Sequence, residues 1–352
     1  MFCLDYLYKL ASGRYRGGFH LIPAAVLSVF SFVYGILVRI LLTYALYHKT
    51  TPAIPVISVG NITVGGTGKT SLVEYLALKL KSYGKKPAIV TRGYKRPASK
   101  GSDTYDLMGD EPALLQKNTG IPVIVDSNRL RGITRALEES AADSIILDDA
   151  FQQWKIVKRL EIVCIDTANP FGCARLLPRG LLREPLTGLD RADVIVFTKT
   201  NIAAVSESLK QTVRKFAPRA LQVESMHKPV GFYSLYDTSS MQKLDGRSCL
   251  LFSGIGDPHS FEEGVKHQGI SVMHTVRFSD HHSYTAGDVD RIVGQARRCR
   301  ADTIITTEKD AMRLQRLQLS FGSFPVFVFK IELILTKKED EFLSRLRSVY
   351  SV

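Results

Sequence analysis

From Pro52 onward the chain alternates short, almost unbroken apolar runs with longer stretches of helical spacing. The runs are IPVISVG, PAIVTRG, IPVIVD, SIILDD, EIVCID and VIVFTKT, all rich in β-branched residues. Runs of this kind suit strands covered on both faces, so they predict a largely parallel sheet flanked by helices. Between the first two lies SLVEYLALKLKSYG, where Leu72, Tyr75, Leu76, Leu78 and Leu80 predict a helix facing the sheet and Gly84 its stop. The rhythm breaks over residues 226–247, MHKPVGFYSLYDTSSMQKLDGR, which read as a linker or hinge. It resumes with CLLFSGIGDP, ISVMHTVRF, ADTIITTEKD and FPVFVFK, a smaller α/β unit. The expected organisation is therefore a hydrophobic segment over 1–50, a principal domain over 51–225, the linker, and a C-terminal domain over 248–352.

The N-terminal segment has a different pattern. Residues 17–38, GGFHLIPAAVLSVFSFVYGILV, contain no Asp, Glu, Lys or Arg, and are flanked by Arg14, Arg16 and Arg39. At about 1.5 Å per residue such a helix matches a bilayer core of about 30 Å. A span, a buried core helix and a helix lying in the membrane interface all fit this length. The basic flanks and Pro23 favour membrane contact, with the arginines on lipid phosphates.

Net charge is +13 over 352 residues, which points to anionic partners: phosphate groups or an acidic lipid surface. Much of it is grouped, at Lys79, Lys81, Lys85 and Lys86 and again at Arg92, Lys95, Arg96 and Lys100. No RNA-binding aromatic motif or zinc-finger spacing accompanies these groups, so nucleic acid is not expected as a partner. The five cysteines are scattered and none forms a C-x-x-C pair, which argues against a disulfide framework or a zinc site.

The candidate chemistry begins at VGNITVGGTGKTS, residues 59–71. A phosphate cradle needs inward backbone N–H groups, small residues and a helix N-terminus. Thr63, Gly65, Gly66, Thr67, Gly68, Lys69 and Thr70 provide that pattern, with Thr63 where the usual motif has its first glycine. Lys69 would reach the β- and γ-phosphates of a nucleotide, and the Thr70 hydroxyl would ligate Mg²⁺. SIILDD adds Asp148 and Asp149 at a strand end, where carboxylates can hold the metal directly or through water. The fold class is thus α/β: a P-loop NTPase-like, mostly parallel sheet, a second smaller α/β domain and an N-terminal membrane-associated helix.

Two loop-bearing classes fit poorly. Partitioning ATPases carry a lysine where this chain has Val64, and the guanine-reading pattern fails because Asn201 follows Thr198-Lys199-Thr200. A kinase instead needs a carboxylate to accept the acceptor's proton, and GDEP offers Asp110 or Glu111. His281 and His282 of FSDHHSY could orient such a base. A membrane-tethered nucleotide switch, or a kinase for another membrane-bound sugar or polyprenol, remains an alternative on this pattern.

VGNITVGGTGKT, TRGY, GDEP, LDDAFQ, LLPRGLLREP, FSDHH and TTEKD stand in the order found in the tetraacyldisaccharide 4'-kinase family, which the chain resembles over nearly its whole length. The resemblance implies ATP and Mg²⁺ as cofactors and transfer to the 4'-hydroxyl of a tetraacylated glucosamine disaccharide 1-phosphate lipid. It also implies work at the cytoplasmic face of the bacterial inner membrane. Carried over by motif, Lys69 and Thr70 bind phosphates and metal, Asp148 and Asp149 serve the metal region, and Asp110 is the base, assisted by His281. Glu111, Arg183, Glu184 and His282 are further active-site candidates. A threonine at the place of Thr63 is characteristic of that family's loop. The chain departs from the family pattern at Ser71, Ala150, Gln153, Arg179 and Ser279.

Overall fold

IPVISVG folds as β1 because six consecutive apolar or small residues can all be enclosed by a sheet with both faces covered. The computed structural model describes residues 21–93, 108–237, 239–317 and 319–351, apart from the side chains of residues 21–23 and 316. Arg14, Arg16, Lys95, Arg96 and Lys100 lie outside the described residues. The chain divides into two compact units: residues 1–92, 119–226 and 334–352 form one, and 93–118 with 227–333 the other.

The first unit opens with α1 (Leu21–Tyr47), then β1 (Val56–Asn61), α2 (Lys69–Ser82) and β2 (Pro87–Thr91). The chain leaves it for α3 (Asp110–Thr119) and returns for β3 (Val123–Val125), α4 (Arg129–Ser140), β4 (Ser144–Asp148) and β5 (Leu160–Asp166). β6 (Val194–Thr198), α5 (Glu207–Phe216) and the first part of β7 (Leu221–Ser234) follow. All strand pairings here are parallel, in the order β7-β6-β5-β1-β4-β2-β3. β1, β2, β3, β4 and β6 are buried along their whole length, as their sequences predict.

α2 follows its predicted limits, but its buried stripe is Leu72, Val73, Leu76, Ala77 and Leu80, whereas Leu78 is exposed. At 100° per residue Leu78 falls off the face that the other leucines share. The lysines beyond it are used locally rather than as a docking patch. Lys81 Nζ donates to Thr119 O at 2.8 Å, Lys79 lies 3.5 Å from Glu339, and Lys85 sits over the Tyr350 ring.

The second unit contains β8 (Met241–Gln242), β9 (Ser248–Ser253), α6 (Pro258–Lys266), β10 (Ser271–Arg277), α7 (Ala286–Arg298), β11 (Thr303–Thr307), α8 (Glu308–Arg316) and most of β12 (Val326–Lys337). Its strands run parallel in the order β10-β9-β11-β12. The stretch expected as a linker is instead half strand: β7 continues to Ser234, and Phe232 and Tyr233 pair antiparallel with Gln242 and Met241 of β8. Its many polar residues conceal Phe232, Tyr233, Leu235 and Leu244, all buried in this unit's cores. The C-terminal end also departs from expectation. α9 (Glu339–Ser348) belongs to the first unit, where Phe342 and Leu346 are buried and Glu339 accepts from Tyr75 OH at 2.8 Å.

α1 extends eight residues past Arg39, which is exposed, so the helix is longer than the charge-free segment that announced it. Its 27 residues span about 40 Å. Among its described side chains only Ala24, Ser31, Val38 and Ala45 are buried, each seven residues from the next. That spacing makes a narrow seam of mostly small side chains against the unit, as in a coiled-coil contact. Val29, Phe30, Phe32, Val33, Leu37, Ile40 and Leu41 are left exposed. Such an apolar surface on a long helix suits lipid rather than water.

One buried ion pair lies under this sheet. Lys158 Nζ donates to both Glu161 oxygens, at 2.9 and 2.8 Å, and to Ala150 O at 2.9 Å. Burial pulls the Lys158 ammonium down and pushes the Glu161 carboxyl up, while their mutual attraction opposes both shifts. Glu161→Gln strands a buried cation and is expected to lower unfolding stability by about 3 kcal/mol in urea titration; a loss below about 1 kcal/mol would contradict the pairing.

Candidate active site

The phosphate loop leaves β1 at its carboxyl end, where ligands bind in open parallel sheets. Gly68 is the N-cap of α2 with φ 77°, and no side chain caps that helix, so its first N–H groups face the loop. Gly65 has φ 130°, and a Cβ on either Gly65 or Gly66 would meet nothing within 4 Å. The cradle is therefore open on the side where phosphate oxygens would enter. Thr67 Oγ1 and both side-chain groups of Asn61 are buried without a hydrogen-bond partner. Orphaned polar atoms beside a glycine loop fit a polyanionic ligand. The loop is held from below by Thr198 Oγ1, which donates to Thr67 O at 3.0 Å.

Thr63 has a structural explanation. Its place is not a left-handed turn requiring glycine but a β-bridge, antiparallel to Leu182. Val64 N donates to Leu181 O and Arg183 N to Ile62 O, both at 2.8 Å. The LLPRGLLREP segment thus forms an extra strand-like edge along the start of the loop.

The two aspartates take different positions. Asp148 ends β4 beside Val59 of β1, is buried, and accepts from Thr91 Oγ1 at 3.2 Å. Asp149, with φ 51°, turns out of the strand. It lies 3.5 Å from Lys69 Nζ and accepts from Arg183 Nη1 at 2.9 and 3.1 Å. Burial pushes its carboxyl up, but Lys69 and then Arg183 more than compensate, and the net shift is below the usual range. Thr70, Asp148 and Asp149 together offer only oxygen ligands, the donor set Mg²⁺ prefers.

Glu184 does not face an open site. It is fully buried, with one oxygen accepting from Arg191 Nη2 at 2.6 Å and the other from Gln152 Nε2 at 2.9 Å. Gln152 in turn accepts from Arg183 Nη1 at 3.3 Å and donates to Asn61 O at 3.0 Å. Glu184 thus holds Gln152, and through it Arg183; Gln152 has no role in the sequence-based reading.

Asp110 begins α3 in the second unit, next to Gly109 with φ 88°. Its Oδ2 accepts from Arg313 Nε at 2.7 Å, while His281 Nδ1 is 3.8 Å away, beyond hydrogen-bond reach. Arg313 Nη2 lies 3.3 Å from that same Nδ1. A guanidinium only donates, so this geometry assigns Nδ1 as acceptor and the ring proton to Nε2. His281 is therefore a neighbour of Asp110, and Arg313 is its direct partner. Buried Arg313 is itself fixed by Asp310 Oδ1 at 2.9 Å and Gly254 O at 2.8 Å. The signal for it was present: an arginine three residues after an aspartate on one helix faces the same way. His282 is directed elsewhere. It lies 3.1 Å from Asp288 Oδ2, in the capping box of α7, and stacks on Phe278. Glu111 pairs with Lys309 of the TTEKD motif.

A glycine-rich phosphate loop at the end of a parallel strand, with Lys69 beside Asp149, is the arrangement of a P-loop nucleotide-binding protein. Residues 23–350 match the family model for LpxK, tetraacyldisaccharide-1-P 4'-kinase. A tetraacyldisaccharide 4'-kinase from Halothermothrix orenii is 34% identical, over 89% of this chain and 88% of its own. One from Desulfatibacillum aliphaticivorans is 36% identical, over 83% and 84% respectively. A crystal structure of LpxK from Aquifex aeolicus in complex with ATP superposes with TM-score 0.75 at 28% identity, covering 93% of this chain and 99% of that one. The chain belongs to the tetraacyldisaccharide-1-P 4'-kinase family and is an ATP-dependent lipid A 4'-kinase.

Proposed function

We propose that residues 63–70 bind the triphosphate of ATP, that Lys69 and Arg183 stabilise charge on the transferring group, and that Asp110 accepts the proton of the acceptor's 4'-hydroxyl. The acceptor is a tetraacylated glucosamine disaccharide carrying a 1-phosphate. The observation that carries this reading is the Lys69–Asp149–Arg183 cluster beside an open glycine cradle. Phosphoryl transfer proceeds with little covalent help from the protein, so positioning and electrostatics do most of the catalysis. Thr70, Asp148 and Asp149 would hold Mg²⁺, which would supply positive charge against that of the phosphates. Arg313 fixes the Asp110 carboxylate, with His281 alongside.

α1 is the membrane contact, and the net charge of +13 favours an anionic surface; each Lys or Arg near one contributes about 1 kcal/mol. We assign the protein to the cytoplasmic face of a bacterial inner membrane, where ATP and the lipid precursor meet. The test is incubation of the full chain with ATP, Mg²⁺ and the purified tetraacyl disaccharide 1-phosphate, followed by mass analysis. Addition of one phosphoryl group at the 4'-position is expected. ATP hydrolysis without phosphorylated lipid, or transfer only to a different lipid, would overturn the reading.

A further inference from the structure

We propose that Ser31 and Tyr34 of the apolar helix α1 are positioning residues that order the phosphate loop. This rests on reading residues 63–70 as the ATP site. Ala24, Val38 and Ala45 bury apolar side chains against the unit, and the hydroxyls near the middle of the helix are used in two ways. Ser28 returns its hydroxyl to the helix's own Ala24 O at 2.7 Å. Ser31 and Tyr34 do not. Three residues apart, they share a face and send their hydroxyls off the helix. Ser31 Oγ accepts from Arg179 N and donates to Leu176 O, both at 2.9 Å, and so clasps the two ends of one turn. Tyr34 OH donates to Arg183 O at 2.7 Å.

The far side of that segment is the edge that pairs with the start of the phosphate loop. Arg183 N donates to Ile62 O, Val64 N donates to Leu181 O, and Thr63 is bridged to Leu182. The Arg183 side chain continues to Asp149, and Asp149 to Lys69. A continuous path of short hydrogen bonds therefore runs from the helix, through residues 176–183, into the cradle. The cradle holds Gly65, Gly66 and Gly68, which impose little order of their own. Its geometry must come from its neighbours, and this edge is one of them. Gly35 keeps the approach close: a Cβ there would lie 2.9 Å from Leu176 Cδ1.

A purely structural role would show as lost stability with nucleotide affinity retained. The experiment uses the full chain with Tyr34→Phe, Ser31→Ala and the double variant, measuring Tm, ATP affinity, kcat, and KM for ATP and for lipid. The double variant is expected to raise KM for ATP about tenfold and to lower kcat. KM for lipid should stay within about twofold and Tm within a few degrees. ATP affinity equal to wild type in the folded double variant overturns the proposal, and so does a loss of activity that only follows a fall in Tm. Lys69→Met is the control. If it binds ATP as wild type does, the ATP-site reading fails. If it weakens ATP binding while the double variant does not, the coupling alone fails.

Discussion

Asp110→Asn should lower kcat by about 10²–10⁴-fold while ATP affinity stays close to wild type. The substitution keeps size and removes the proton acceptor. It also removes the anionic partner of Arg313, whose guanidinium is buried and shared with Asp310. Asp310 remains to hold that cation, so the fold should survive. Single-turnover assays with labelled ATP, beside equilibrium nucleotide binding, separate the two effects. A variant that turns over at the wild-type rate would remove Asp110 from the role of base, whatever the state of the phosphate loop.

The second large effect is expected at Lys69. Lys69→Met should cut kcat by about 10²–10³-fold and, unlike the change at Asp110, weaken ATP binding as well. The lysine acts on the phosphates and on Asp149. Two cations pull the Asp149 carboxyl down: Lys69 gives the larger charge attraction, and Arg183 adds its own charge and the stronger hydrogen bond. Without Lys69 the carboxyl must rise. An acid limb in kcat/KM arising from Asp149 should then move to higher pH, because a group whose pKa rises loses its charge earlier as pH falls. An unshifted profile with unchanged ATP affinity would contradict the geometry of the cluster.

The sheet and the phosphate loop were legible because their signals are local. A run such as SIILD has one way to be buried, and GTGKT needs only its own backbone and the helix behind it. The limits of the two units were not legible, for a physical reason. β7 and β12 are long strands that carry the chain from one unit into the other without a turn or a composition break. The linker expected over 226–247 was an average over polar residues that hid buried Phe232 and Leu244. In the candidate site, the sequence names the motif residues but not the side chains they bond to. Arg313 reaches Asp110 across 203 positions, and Gln152, the last residue of LDDAFQ, joins Asn61 to Glu184 from a place to which the motif assigns no role. Glu184 is a motif carboxylate that is buried and bonded to Arg191 and Gln152, a setting the motif alone does not reveal.

The seam on α1 has a consequence for descent. Apart from Tyr34 and Gly35, most letters between these seventh places answer to little but their greasy surroundings, and they can wander among Leu, Ile, Val and Phe at small cost. Kinship along this stretch should therefore survive as a beat rather than as a spelling.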